Sequence, residues 1–146
     1  RAEGETRADV ARRLDRPEPR VELGMALRHL ASAAIDLSDG LLGDLGHIIE
    51  RSRVGAEVDE SALPVSPEIV AESRDRAIEF ALAGGDEYEL LFCAPPENRS
   101  AIEALGRRLG IPLTRIGRIR DGASIQVHDA RGRPRARLPR SHEHFG

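Results

Sequence analysis

The sequence contains no lysine: all 22 of its basic residues are arginine. Lysine-based chemistry is therefore excluded, and neither a GxxxxGK[ST] phosphate loop nor a GxGxxG motif occurs. There is one cysteine, Cys93, so neither an internal disulfide nor a cysteine-rich metal site can form. Tryptophan is absent and aromatics make up 3%, which leaves Leu, Ile, Val and Ala to build the core. No apolar run reaches transmembrane length and no signal peptide is recognisable, so the expectation is a cytoplasmic protein. A net charge of -3 argues against a general nucleic-acid binder.

What is present fits one folded domain: 146 residues, 40% of them hydrophobic, with charges interspersed. The chain opens at Arg1 with residues that read as mid-protein sequence. The expectation is a helix or linker from a missing upstream domain over residues 1–20, and one domain over residues 21–146. Pro17 and Pro19 break a short polar helix over residues 5–14. A second helix is predicted over residues 21–30, with Val21, Met25, Ala26 and Leu30 on its apolar face.

"SAAIDL" reads as a buried strand, followed by an amphipathic helix over residues 39–52. Leu41, Leu42, Leu45, Ile48 and Ile49 share one face of that helix, while Asp44, Glu50 and Arg51 fall elsewhere. "VGAEVD" alternates as a strand should, and helical material is predicted over residues 67–82. A glycine turn then leads into an apolar strand ending at Cys93, and a helix follows Pro95 and Pro96 until Gly110 ends it. "LTRIGRI" and "SIQVHD" read as two strands of a hairpin around Asp121-Gly122. The arginine-rich end, with Arg131, Arg133, Arg135, Arg137 and Arg140, reads as a solvated basic tail. The order predicts an α+β fold, an α/β sandwich with a mixed β-sheet packed against helices.

Two stretches carry chemistry. In "AAIDLSDGLLGDL", Asp36 and Ser38 share one side of the strand, and Asp39 lies at the first turn of the helix. Two carboxylates and a hydroxyl thus gather where a strand ends and a helix begins, a place that favours ligands in α/β sheets. Such a group suits a hard cation such as Mg²⁺, which takes one or two carboxylates and completes its shell with water and phosphate oxygens. Helix capping by Ser38 or Asp39 is the plainer reading, but it explains one of the three residues. In "GGDEYEL", Gly84 and Gly85 free the backbone, and Asp86, Glu87 and Glu89 lead into the strand. A glycine turn with solvated acids explains that stretch equally well. His142 and His144 are read as solvated, and Cys93 as core.

These stretches, together with "GAEVDESALPVSP", "TRIGRI" and the terminal "HEHF", resemble the thiamine-monophosphate kinases. The likeness is to the C-terminal half of that family, within the aminoimidazole ribonucleotide synthetase superfamily, over residues 17–145. It implies an AIR synthetase C-terminal-domain-like fold, partly ferredoxin-like. It implies Mg²⁺-assisted direct transfer of the γ-phosphate of ATP to thiamine monophosphate, giving thiamine diphosphate without a phosphoenzyme or a protein nucleophile. By the family motif, Asp36 and Asp39 are Mg²⁺ ligands and Ser38 contacts ATP. Asp86 or Glu87 contacts thiamine phosphate, with His142 and Phe145 near the substrate. Two departures stand out: the family's Glu-Asp order is Asp86-Glu87 here, and its aromatic position falls on His142. The family also has an N-terminal domain that binds most of the Mg²⁺ and forms a homodimer; nothing in this sequence resembles it. The chain alone is expected to fold but to transfer phosphate poorly. The alternative is a non-catalytic nucleotide- or partner-binding domain that retains this fold.

Overall fold

The computed structural model describes residues 21–65, 67–84 and 89–139. The helix expected over residues 5–14 lies outside them. Helix α1 (Val21–Leu27) leads to strand β1 (Ala33–Asp36), helix α2 (Leu41–Ser52) and strand β2 (Gly55–Asp59). A 3₁₀ turn (Glu60–Ala62), helices α3 (Pro67–Glu72) and α4 (Arg74–Ala83), and strand β3 (Leu90–Cys93) follow. A second 3₁₀ turn (Pro96–Asn98), helix α5 (Arg99–Leu109) and strands β4 (Gly117–Arg120) and β5 (Ile125–His128) complete the described elements. The α+β class holds. The strands divide into an antiparallel pair, β1–β3, and a mixed three-stranded sheet ordered β4-β2-β5.

The pair β1–β3 lies between two apolar clusters. The first joins Leu41, Leu42, Leu45 and Ile49 of α2 to Val58, Ile78, Leu82 and Val127. The second joins Leu23 and Leu27 of α1 to Leu105 of α5. Successive side chains of a strand point to opposite faces. Accordingly Leu91 of β3 packs on the first cluster, and Leu90 and Phe92 pack on the second. Two strands alone are marginal in water, and the contacts of β3 with both clusters help to hold this ribbon. The expected buried strand is only partly covered: Ala33 and Ile35 of β1 are half-buried, whereas Ala34 and Asp36 are exposed.

Four local expectations are corrected. Helix α1 ends at Leu27 and buries Leu23 and Leu27, whereas Val21 and Met25 are 58% and 63% exposed. Both apolar pairs have helical spacing, and the cluster on α5 selects which pair goes inward. The helix expected over residues 67–82 is two helices. Ser73 separates them with an extended backbone, and its hydroxyl accepts the Arg76 N–H as the cap of α4. Serine caps of this kind compete with helix continuation.

The third correction is the hairpin. Strands β4 and β5 do not pair with each other, because β2 lies between them, antiparallel to β4 and parallel to β5. The glycines make this insertion fit. A Cβ on Gly55 would lie 3.1 Å from the Ser124 carbonyl oxygen in the β4–β5 loop. A Cβ on Gly117 would run into the Glu57 carbonyl oxygen on β2. The basic end is not simply solvated either: Arg133 pairs with Asp129, and Arg135 pairs with the buried Glu60 at 2.6 Å. Among the described residues, no helix is long and apolar enough to cross a membrane.

Candidate phosphate and metal site

Strand β1 is apolar as far as Ile35 and pairs with β3 to its last residue, Asp36 opposite Leu90. One further backbone bond closes the ladder, from the Leu37 N–H to the Glu89 carbonyl at 2.8 Å. The chain then leaves the ribbon through residues 37–40 and enters α2. Asp36 and Ser38 are exposed and Asp39 is half-buried. The entry bend is made by Gly40, with φ 87° and ψ 158°. That region is essentially restricted to glycine. Space demands glycine as well, since a Cβ there would sit 2.8 Å from the carbonyl carbon and oxygen of Ala83, the last residue of α4.

These contacts bring the two chemical stretches together. Ala83, just before the glycine–acid stretch, backs onto Gly40, and Glu89, near its end, bonds to Leu37. Asp86 and Glu87 lie between those flanks in sequence, and they fall outside the described residues. His142 and Phe145 also lie outside them.

The helix entry is organised in the reverse of the usual sense. Gly40 is the cap residue of α2 and supplies no side-chain hydrogen bond, so neither Ser38 nor Asp39 caps the helix. Instead an acid inside the helix reaches back. Asp44 is 2% exposed, and its Oδ2 accepts the N–H of Ser38 at 2.8 Å and of Asp39 at 3.0 Å. Asp44 belongs to the buried face that the amphipathic pattern denied it. A signal was available in the sequence: an acid shortly inside a helix can bond back to amides ahead of it, as in a capping box.

Asp39, Asp44 and the exposed His47 each offer a ligand atom, all within 4.8 Å of one another. His47 follows Asp44 by one helical turn, so the two share a side of α2. His47 is thus beside the acids in the fold. Asp36 does not belong to this group.

Other polar features have structural partners. An open cleft of about 600 Å³ lies on the other sheet, lined in part by Glu57, Asp59, Arg118 and Asp129. Hydrogen bonds from Arg118, above all, hold the Glu57 carboxyl below its ordinary range, with Arg120 assisting. The Ser61 hydroxyl and amide do the same for Asp59, and the Arg133 amide and side chain for Asp129. These acids are committed to internal bonds, and none belongs to the two chemical stretches. Cys93 is half-buried on β3, and burial pushes its thiol up, so it is a poor nucleophile.

Comparisons with known proteins identify the family and the fold. The family model described as AIR synthase related protein, C-terminal domain, matches residues 2–130. The thiamine-monophosphate kinase of Haemophilus influenzae is 51% identical over 107 residues, 73% of this chain and 33% of that protein. The chain therefore spans about a third of the length of the curated relatives it matches. Among solved structures, the thiamine-monophosphate kinase of Stenotrophomonas maltophilia K279a superposes with a TM-score of 0.78 at 46% identity. It covers 92% of this chain and 43% of that one. The structure of AaThiL complexed with AMPPCP and TMP gives a TM-score of 0.67 at 29% identity, covering 96% of this chain and 43% of that one. The chain belongs to the AIR synthase related protein family, matching its C-terminal domain, and in that domain it is similar to thiamine-monophosphate kinases.

Proposed function

We propose that this chain is the C-terminal part of an ATP-dependent thiamine-monophosphate kinase. In this reading Asp36 and Asp39 hold Mg²⁺, and Ser38 contacts the phosphates of ATP. Asp86 or Glu87 meets thiamine monophosphate, with His142 and Phe145 beside it. The observation that carries the reading is the junction of the two stretches: Leu37 bonded to Glu89, and Gly40 packed on Ala83. A relative solved with AMPPCP, an ATP analogue, and TMP supports a site for both substrates in one protein.

The donor set fits a divalent cation. Carboxylates and a hydroxyl are hard oxygen ligands of the kind Mg²⁺ takes. The amides of Ser38 and Asp39, which could otherwise meet an anion, are occupied by Asp44. The turn therefore presents acidic oxygens, and phosphate oxygens would reach it only with a cation between. Bound Mg²⁺ would offset the negative charge shared by the phosphates and the acids. The protein's own part is positioning, which is the main demand of an in-line phosphoryl transfer. The remaining Mg²⁺ and ATP contacts, and a homodimer contact, belong to an N-terminal domain outside this chain.

Equilibrium binding of ATP to the chain tests the reading, measured with Mg²⁺ and again with EDTA. Binding is expected only with Mg²⁺, and Asp39→Asn is expected to weaken it. Equal binding in EDTA, or none in either condition, would contradict it.

A further inference from the structure

Asp44 is inside α2, yet its bonds run outward to the turn before the helix. A carboxylate removed from water is costly unless hydrogen-bonded, and Asp44 at 2% exposure meets that need with two amides from adjacent residues. Both donors belong to Ser38 and Asp39, the residues assigned above to ATP and Mg²⁺. No side chain of the turn caps the helix in return. The turn is thus held at two points, by Asp44 on its amides and by Gly40 against Ala83.

We infer that Asp44 is a positioning residue for phosphoryl transfer: it fixes the backbone of Ser38 and Asp39 so that Asp36, Ser38 and Asp39 meet Mg²⁺–ATP in one geometry. The inference rests on the Mg²⁺–ATP reading above. Groups that orient metal ligands without touching the metal commonly cost ten- to a hundred-fold in affinity when removed. The role of Asp44 depends on an acceptor oxygen rather than on charge. That separates it from a direct ligand, whose substitution by the neutral amide would remove the anionic donor.

The test uses the full chain labelled with ¹⁵N, with Mg²⁺ as the probe and ATP present. In the wild type, Mg²⁺ is expected to shift the Asp39 amide resonance, and the Ser38 and Asp39 amides are expected to resist hydrogen exchange. Asp44→Ala is expected to abolish that protection and to weaken Mg²⁺ binding about ten-fold. The amides of Ile48 and Ile49 stay protected, which shows that α2 is intact. Asp44→Asn, whose amide oxygen still accepts both N–H groups, is expected to keep both the protection and near-wild-type Mg²⁺ affinity.

Unchanged Mg²⁺ affinity in Asp44→Ala, with the turn amides unprotected, would overturn the inference. So would an Asp44→Asn variant that keeps the protection but loses affinity, since charge or direct ligation would then be responsible. If Asp44→Ala does not fold, the Asn variant decides by the same criterion. A wild type with no Mg²⁺ response would instead overturn the Mg²⁺–ATP reading, and this inference with it.

Discussion

Gly40 is the residue on which the proposed site turns. It carries a backbone conformation that other residues rarely adopt, and it leaves no room for a Cβ between the turn and the end of α4. Gly40→Ala is expected to lose roughly 1–3 kcal/mol from backbone strain. The approach to Ala83 adds to that, because the atoms met are backbone and cannot swing aside. Urea unfolding followed by circular dichroism would measure the loss. Wild-type stability would contradict the close approach. The loss of Mg²⁺-dependent ATP binding should exceed what the stability change alone explains, since the substitution pushes apart the two stretches of the proposed site. Asp44 makes the complementary point about legibility. Its place in a three-and-four pattern put it on the polar face, and only its two hydrogen bonds explain why a charge is buried there.

At the scale of elements, periodicity located most helices and strands, because each is amphipathic or apolar enough to show its period. It gave α2, β2, β3 and α5 nearly to the residue. It failed where two local solutions were equally good. The apolar face of α1 and the partners of β4 and β5 are decided by packing at a distance in sequence, and the break at Ser73 by a local cap that competes with helix continuation. The hairpin is the clearest case: an Asp-Gly turn between two strands is a strong local signal, but β2 enters between them on two glycines.

That sheet has an acid-dependent term. Glu57 on β2 accepts from Arg118 and Arg120 on β4, and the Arg118 bond above all lowers its carboxyl. A carboxyl lowered in the fold adds stability above its unfolded value, and this is lost as pH falls through the folded value. Asp59 and Asp129 act in the same direction. The urea midpoint is therefore expected to fall as pH drops below about 4. Glu57→Gln should flatten that fall in proportion to its share. An unchanged slope in the variant would show that the pair does not contribute. The effect should be modest and salt-sensitive, because the Arg118 side chain is largely exposed.

At the scale of the whole molecule, the proposed function makes the described residues one side of a two-sided site. The family and the fold were legible from the motif pair, which is specific in residue type and order. The proposed substrate side was less so: Asp86, Glu87, His142 and Phe145 lie outside the described residues, and three of those positions depart from the family pattern. Among the described residues, the turn is held by Asp44 on its amides and by Gly40 against Ala83. Under the proposed function, the other metal and nucleotide contacts come from a further domain. Mg²⁺-dependent binding without efficient turnover is therefore expected of the chain by itself.

The most direct measurement is ADP release from ATP and Mg²⁺, with and without thiamine monophosphate. It would use this chain combined with the N-terminal part of the Haemophilus influenzae kinase, with Asp39→Asn as the control. Release that depends on thiamine monophosphate and is abolished by Asp39→Asn is the result the account predicts. Release that Asp39→Asn leaves intact, or no release while Mg²⁺-dependent ATP binding persists, would contradict it. The latter result would make this chain a nucleotide-binding domain that keeps the fold without the reaction.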